Sequence, residues 1–537
     1  MAVKKKQSLS ATSRDVLKEP HQKAAEKKAP NKRFHYTELG NMERMLHLYG
    51  ENIRYSPAVG YLTWNGQYWS VDTEQEVCRY AVKTIRSMHE EAVALTKQAD
   101  NLKEEKDTVR RAMLNKEAED LHGWAMKSET SNMVAAMVKL AKYHCEVDIN
   151  LFDNQPMLLN VANGTVNLRT GILHPHSRED YITQYSPYVY NPTAEAPTFH
   201  RFFSEIMLGR ADLMHFVHKA LGYGATGATS EQAWFMMLGH KGDNGKSTLL
   251  NTIKKAMGSY AHVLEPEAIS LSKGSEGSGP NPEIADLKGK RFVTVSETEA
   301  GAQVRTQLMK KMTGEEYATA RKLYKDPMTF FYTHKLFICT NHELIVRETG
   351  HAFWRRANRI PFDFSLGSPE NQGKKDKKLP EKLEAEMEGI LAWLVQGAML
   401  WADEGLGTCE TVLHATEEYR KEQNILGRFI EEYCVTGPNY RAAPTPLFKA
   451  FIKWQMEEMN MKSVSSQTFS RMVLDNGYAK GKSGANRYYI GLCLKSEVKT
   501  SMPTQADVSM HNGQNKDHTS PSSLAQLDSE LSSIEGL

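Results

Sequence analysis

Cysteine is scarce in this chain and never arranged in close pairs. Cys78, Cys145, Cys339, Cys409, Cys434 and Cys493 are spread over 537 residues without a CxxC, a spacing that suits neither a zinc site nor a disulfide framework. A reducing, cytoplasmic setting is the expectation. Long apolar runs are missing too, since nothing approaches the roughly 18 consecutive apolar residues of a membrane-spanning helix. Lys4, Lys5 and Lys6 are followed by no apolar stretch, which excludes a secretory signal. Net charge is almost absent, 67 Lys and Arg against 65 Asp and Glu giving +2. Bulk charge therefore argues neither for nor against nucleic acid, and any DNA-binding surface must be a local patch.

The apolar fraction of 40% supports one or more real cores. At about 150 residues per domain, the length allows three or four domains. Residues 1–33 mix Lys, Ser, Ala and Pro without periodicity and are expected to form a disordered basic tail. An α+β region is expected over 34–196. Within it, Trp64-Asn65-Gly66-Gln67-Tyr68-Trp69 sets an Asn-Gly between aromatics, a strong hairpin signal. Trp64, Tyr68 and Trp69 are either that hairpin's own core or a surface for stacking on bases. Residues 73–146 read as helical, and LLNVANGTVNLRTGILHP reads as strands with turns at Asn163-Gly164 and Thr170-Gly171.

The stretch WFMMLGHKGDNGKSTLLNTIKKAM passes from an apolar strand, Trp234 to Leu238, through a Gly-rich loop into an amphipathic helix. Backbone N–H groups of such a loop wrap phosphates, and the helix N-terminus adds partial positive charge. Gly242, Asp243, Asn244, Gly245, Lys246, Ser247 and Thr248 are the expected nucleotide-binding residues. Lys246 would reach the β- and γ-phosphates of ATP, and the Ser247 hydroxyl would hold Mg²⁺. One departure stands out: the strict pattern wants glycine five residues before Gly245, where this chain has His240, with Gly239 one place earlier.

Further on, GKRFVTVSETEAG gives a second buried strand with Glu297 and Glu299 at its C-terminal end, where a doubly wound sheet places its ligands. One acid would support the metal and the other polarise the attacking water. Ser247 and Glu297 are the metal candidates, although the division of labour between Glu297 and Glu299 stays open. A third strand, HKLFICTNH, ends in Thr340-Asn341, whose amide can hydrogen-bond water or the γ-phosphate. Next, GHAFWRRANRIPFDF carries Arg355, Arg356 and Arg359. They would stabilise phosphoryl-transfer charge from a neighbouring subunit, or else form a surface salt-bridge cluster. Between the second and third strands, 318–324 and 328–333 read as a hairpin with Lys325-Asp326-Pro327 at its turn. Arg321, Lys322 and Lys325 crowd near its tip as candidate contacts to DNA phosphates.

The order of GHKGDNGKST, SETE, GEEYATARKLY, KLFICTNH and HAFWRRANRIPF resembles the superfamily 3 helicases, and within them the helicase half of phage and plasmid primase-helicases, related to the poxvirus helicase-primase. The resemblance implies an α/β P-loop ATPase core of modified AAA+ type, hexameric rings on single-stranded or forked DNA, and an arginine acting across the subunit interface. The remaining chain is expected to hold a helical collar or oligomerisation segment (197–228), the ATPase with a helical lid (229–405) and a linker (406–424). Over 425–495 three helices followed by paired strands with a Gly-rich turn suit a winged-helix domain, and 496–537, rich in Ser, Asp, Gln and Asn, is expected to be a disordered tail. Priming is not expected, because no DxD-type acidic pair precedes the loop. Leu524, Leu527, Leu531, Ile534 and Leu537 recur at helical spacing and could dock the tail onto a separate primase or other replication protein. The competing readings are an origin-binding initiator whose ATPase controls assembly, and a motor that moves something other than DNA.

Overall fold

The computed structural model describes residues 34–271, 282–296, 301–314, 317–321, 327–348, 350–371, 375–459, 464–484 and 486–498. Both expected tails, except the short helix Lys495–Val498, lie outside the described residues. The chain divides into two compact units, one holding residues 34–65 and 70–148 and the other 66–69 and 149–498. The division falls at Asp148 rather than near residue 196, because the strands Leu158–Val161, Gly164–Asn167 and Leu173–His174 bury Leu159, Val161 and Val166 in the core of the second unit.

In the first unit, helix Glu38–Tyr49 precedes a hairpin of Ile53–Ser56 and Gly60–Trp64. Three helices follow, Glu76–Asn101, Thr108–Ser128 and Ser131–Cys145. The first of these begins where the Asp72 carboxylate accepts the backbone N–H groups of Glu76 and Val77 at 2.7 and 3.0 Å, satisfying two donors that an open helix end leaves unpaired. Its buried residues Val77, Ala81, Ile85, Met88 and Ala92 fall on one stripe, as an amphipathic helix requires.

The second unit is organised by a five-stranded parallel sheet. Its strands are β1 (Trp234–Leu238), β2 (Ala261–Leu264), β3 (Phe292–Ser296), β4 (Lys335–Thr340) and β5 (Ala357–Pro361), in spatial order β5-β1-β4-β3-β2. β1 and β4 are buried at every position, the signature of a sheet covered on both faces. Phe235, Phe337 and Phe292 form a stacked row across β1, β4 and β3, with ring centroids 4.9 and 4.4 Å apart. After β1 the chain leaves for the far edge at β2, whereas after β4 it leaves for the opposite edge at β5. β1 and β4 therefore flank a topological switch point, the crevice where open α/β sheets bind ligands.

Helices α1 (Ala211–Ala225), α2 (Lys246–Met257) and α3 (Met387–Glu404) join the same core as this sheet. α1 falls in the segment expected as a collar and α3 in the expected lid, yet both pack within this chain. They meet at glycines: a Cβ on Gly222 would stand 2.1 Å from the Gly397 carbonyl carbon. The C-terminal end of α1 is held by two buried cations. Arg291 donates to Ala225 O and Gln155 O, both at 3.1 Å, and Lys335 donates to Thr226 O, to Ala228 O at 3.1 Å and to Thr333 O at 3.0 Å. Cations suit the negative end of a helix, although burial pushes the Lys335 ammonium well below its usual range. In the same unit Trp69 is fully buried, ringed by Phe152 and Tyr181, with its indole N–H donating to Arg178 O at 2.8 Å. It serves the core and offers no face to a base.

Two expectations are corrected. The segment 406–424 is no simple linker, since Glu410–Gln423 is a helix that buries Val412, Ala415 and Tyr419 and covers edge strand β5. It is pinned there by Arg359, which pairs with Glu343 at 3.1 Å and donates to Ala415 O at 3.1 Å. In the C-terminal region the order is helix Ile425–Tyr433, strand Cys434–Ala442, helices Pro444–Met459 and Ser466–Asp475, then strands Ala479–Ser483 and Asn486–Leu494. The first of these strands was not expected, because Gly437-Pro438 and the register shift between Thr436 and Arg441 break its alternation.

Two predictions follow from this packing. Gly222→Ala would stabilise an open helix by up to about 1 kcal/mol, but here the methyl group meets backbone. We expect it to destabilise the second unit by roughly 1–3 kcal/mol, read as a lower melting temperature. The second concerns Glu343, whose pKa is raised to about 7, first by burial and then by the hydrogen-bonded Glu422, against the pull of Arg359. A carboxyl with a raised folded pKa binds its proton more tightly when folded, so its contribution weakens as pH climbs from about 4.5 to about 7. Glu422→Gln should therefore raise the melting temperature at pH 8 and much less at pH 5. A pH-independent difference would count against the shared proton.

Candidate active site

The loop after β1 is shaped by glycines at the positions that need them. Gly242 and Gly245 have φ of +66° and +81°, a region open to glycine. A Cβ on Gly245 would also press within 2.5 Å of Ile206. Asp243 has φ +46° without being glycine; its carbonyl accepts the Leu366 N–H at 3.2 Å and its carboxylate faces Lys375 at 3.1 Å. The displaced glycine now has an explanation. A Cβ on Gly239 would lie 2.7 Å from Phe362 O and 2.8 Å from the Asn244 side-chain carbon, so close approach fixes glycine at 239. His240 forms the exposed turn beyond it and needs no such freedom.

Asn244 is the hinge pin of the loop. Its amide is buried, with Nδ2 donating to Phe362 O at 3.1 Å and Phe364 O at 2.6 Å, just after β5. Its Oδ1 accepts from Lys246 Nζ at 2.8 Å. The same ammonium donates to Gly239 O at 3.1 Å and to Asn341 Oδ1 at 3.0 Å. Lys246 is only 5% exposed, and burial depresses its pKa, with the neighbouring Cys339 opposing. All three acceptors are neutral. Among the described residues, the switch-point crevice thus holds a buried cation solvated by neutral oxygens alone.

Around this centre, Ser247 is exposed on the first turn of α2 with its Oγ 3.8 Å from Cys339 Sγ on β4. Thr248 is half-buried on the same turn. Asn341 is exposed immediately after β4, so the expected first and third motifs meet directly through its contact with Lys246. The second motif's strand, β3, pairs with β4 in parallel; Glu297 and Glu299 lie outside the described residues, so their side chains are not placed.

The arginines stand elsewhere. Ala357 is in register with Trp234 and Pro361 with Leu238, so Arg355 and Arg356 lie beyond the end of the sheet opposite the loop. Five strand residues span about 17 Å, which puts them out of reach of this chain's own Lys246. Arg356 is half-buried, donating to Ala352 O and to Gln232 Oε1 at 3.3 Å, and packs so closely that a Cβ on Gly314 would meet its guanidinium at 2.6 Å. Arg355 is exposed and donates to Gln232 Oε1. Arg359 is spent on Glu343 and the covering helix. Sequence reasoning overlooked Gln232, whose positive φ of +51° is the one hint that it is specially placed. Of the hairpin cations, Arg321 is exposed, while Lys322 and Lys325 lie outside the described residues. Among the described residues, no helix is long and apolar enough to cross a membrane.

Comparisons with known proteins agree with the motif order. Residues 42–208 match a family described as D5 N terminal like, and residues 237–356 match a family of unknown function, DUF5906. A protein named "Putative helicase L207/L206", from Acanthamoeba polyphaga mimivirus, is 28% identical over 304 residues, covering 53% of this chain and 31% of its own. A protein named "Putative primase C962R", from African swine fever virus (isolate Tick/Malawi/Lil 20-1/1983), is 24% identical over 400 residues, covering 67% of this chain and 40% of its own. The matches span less than half of either relative, so each name belongs to a longer chain. Among solved structures, the A form apo structure of the NrS-1 C-terminal region covers 84% of this chain and 99% of its own at 9% identity, with a TM-score of 0.45, too low to carry an argument. The D5-like match and the viral relatives, joined to the order of motifs along the chain, relate this protein to the primase-helicase-like members of superfamily 3.

Proposed function

We propose that the chain is an ATP-dependent DNA helicase, acting as a hexameric ring on single-stranded DNA at a replication fork. The observation that carries the reading is Lys246: a buried ammonium held by neutral acceptors from two strand ends at a switch point, beside the start of a helix. Such a centre demands an anion, and a triphosphate would take Lys246 from its present partners onto the β- and γ-oxygens. Loop N–H groups from Gly242 to Thr248 would wrap the phosphates. Ser247, exposed at the first turn, is a fitting hydroxyl ligand for Mg²⁺, which would neutralise charge on the β- and γ-phosphates. Asn341 would orient the attacking water. That water forms a bond to the γ-phosphorus as the bond to the β–γ bridging oxygen breaks, and its proton would pass to Glu297 or Glu299.

The distance from the arginines to Lys246 favours a role in trans. We assign the finger to Arg355, which is exposed, rather than to Arg356, which is wedged against Gly314. The C-terminal order of elements suits a winged helix, with Ser466–Asp475 as the recognition helix. That feature keeps the origin-binding initiator as the second reading. Priming is not part of the proposal.

A forked-DNA strand-displacement assay tests the main reading. Native chain should separate strands with ATP and Mg²⁺, and Lys246→Ala should abolish both hydrolysis and separation. ATP hydrolysis with origin binding but no strand displacement would favour the initiator. Normal turnover in Lys246→Ala would remove the nucleotide assignment. For the shared site, Arg355→Ala should bind ATP normally and hydrolyse it poorly. Mixed with Lys246→Ala subunits, it should regain part of the activity at interfaces that pair an intact loop with an intact arginine. Absence of recovery, with subunit exchange demonstrated, would rule out action in trans.

A further inference from the structure

The hairpin between β3 and β4 has two unlike faces. Its strands Tyr317–Ala320 and Met328–Phe331 pair antiparallel. Ala318, Ala320, Met328 and Phe330 point inward and are buried. Tyr317, Thr319 and Thr329 point outward and are exposed, Phe331 is half-buried, and the alternation carries on to exposed Arg321. Tyr317 and Phe331 are direct cross-strand partners, with ring centroids 4.5 Å apart and planes tilted by 33°. Tyr317 is 46% exposed.

A cross-strand aromatic pair can serve as hairpin adhesive, but adhesive alone explains the placement poorly. The inward face of the Tyr317–Ala320 strand carries only alanines, while the large ring stands on the solvent side. The outward face offers the Thr319 and Thr329 hydroxyls, 3.1 Å apart, together with the Arg321 guanidinium. No carboxylate stands among its described residues, and the sequence runs Arg321-Lys322-Leu323-Tyr324-Lys325 before the next acid, Asp326. Aromatic rings, hydroxyls and cations on one narrow strip match the chemistry of a single strand: unstacked bases with π-faces on an anionic backbone.

We infer that the Tyr317–Phe331 pair is a base-stacking platform, on which one base of a single strand lies while its backbone runs toward Arg321. This rests on the helicase reading and adds to it a contact with bases, where the tip cations address phosphates. Stacking is tolerant of sequence because every base has a π-face, which is what a translocating ring needs.

The test uses the full chain, a labelled oligothymidine and an abasic oligomer of equal length. Tyr317→Leu keeps an apolar cross-strand partner. It should weaken oligothymidine binding about five- to fifty-fold while leaving abasic binding and the salt dependence unchanged. Tyr317→Trp should restore affinity. Arg321→Ala should instead flatten the salt dependence for both oligomers. With native chain, an oligomer carrying 5-iodouracil should crosslink on irradiation at Tyr317 or Phe331. Unchanged oligothymidine binding by a folded Tyr317→Leu, an equal loss on both oligomers, or crosslinks confined to other residues would overturn the platform and leave the helicase reading standing. Failure of native chain to bind either oligomer would overturn both.

Discussion

The second unit is built around the solvation of one ammonium group. Lys246 is almost wholly buried, and a cation taken out of water needs oxygen acceptors in return. Three arrive from three directions: a loop carbonyl at Gly239, a side chain within the loop at Asn244, and a side chain at the end of a strand nearly a hundred residues away, Asn341. The β5-β1-β4 order makes the third possible by setting the ends of β1 and β4 side by side. Asn244 then ties the loop to the chain leaving β5, so both neighbours of β1 reach the same centre. Among the described residues, every acceptor of this ammonium is neutral.

Much of this was legible in the sequence, and the reasons differ by element. The strand–loop–helix of residues 234–257 was readable because a short apolar run, clustered glycines and an amphipathic helix are each local signals. The displaced Gly239 was visible only as a departure, because its cause is the backbone of Phe362, distant in sequence. Arg359 looked like its neighbours Arg355 and Arg356. Its structural role comes from Glu343 and the helix over 410–423, contacts no local pattern encodes. That helix was itself missed: its buried face is only Val412, Ala415 and Tyr419 among many charges, too sparse to stand out from a solvated linker. The strand Cys434–Ala442 was missed for the opposite reason, an internal Gly-Pro hiding a real pairing partner.

The sheet also separates two kinds of chemistry by its own length. Lys246 and its loop sit beyond the C-terminal ends of the strands, and exposed Arg355 beyond the other end. Lys246 and Arg355 therefore stand at opposite ends of one sheet, and a single chain cannot bring them together. Stacking copies so that one end meets the next is the arrangement that such a division suits.

The buried pair Arg291 and Lys335 has a consequence for how the protein can be taken apart. Arg291 immediately precedes β3 and Lys335 opens β4, yet all of their acceptors but Thr333 O, namely those at Gln155, Ala225, Thr226 and Ala228, lie ahead of the first strand. A fragment beginning at β1 would carry the Gly-rich loop intact and leave two interior cations without most of their oxygens, a cost of several kcal/mol for each ion. The folding unit around the sheet is thus larger than its motifs. A shuffling or fusion event that kept only the loop and the strands would inherit a sheet unable to close over its own charges.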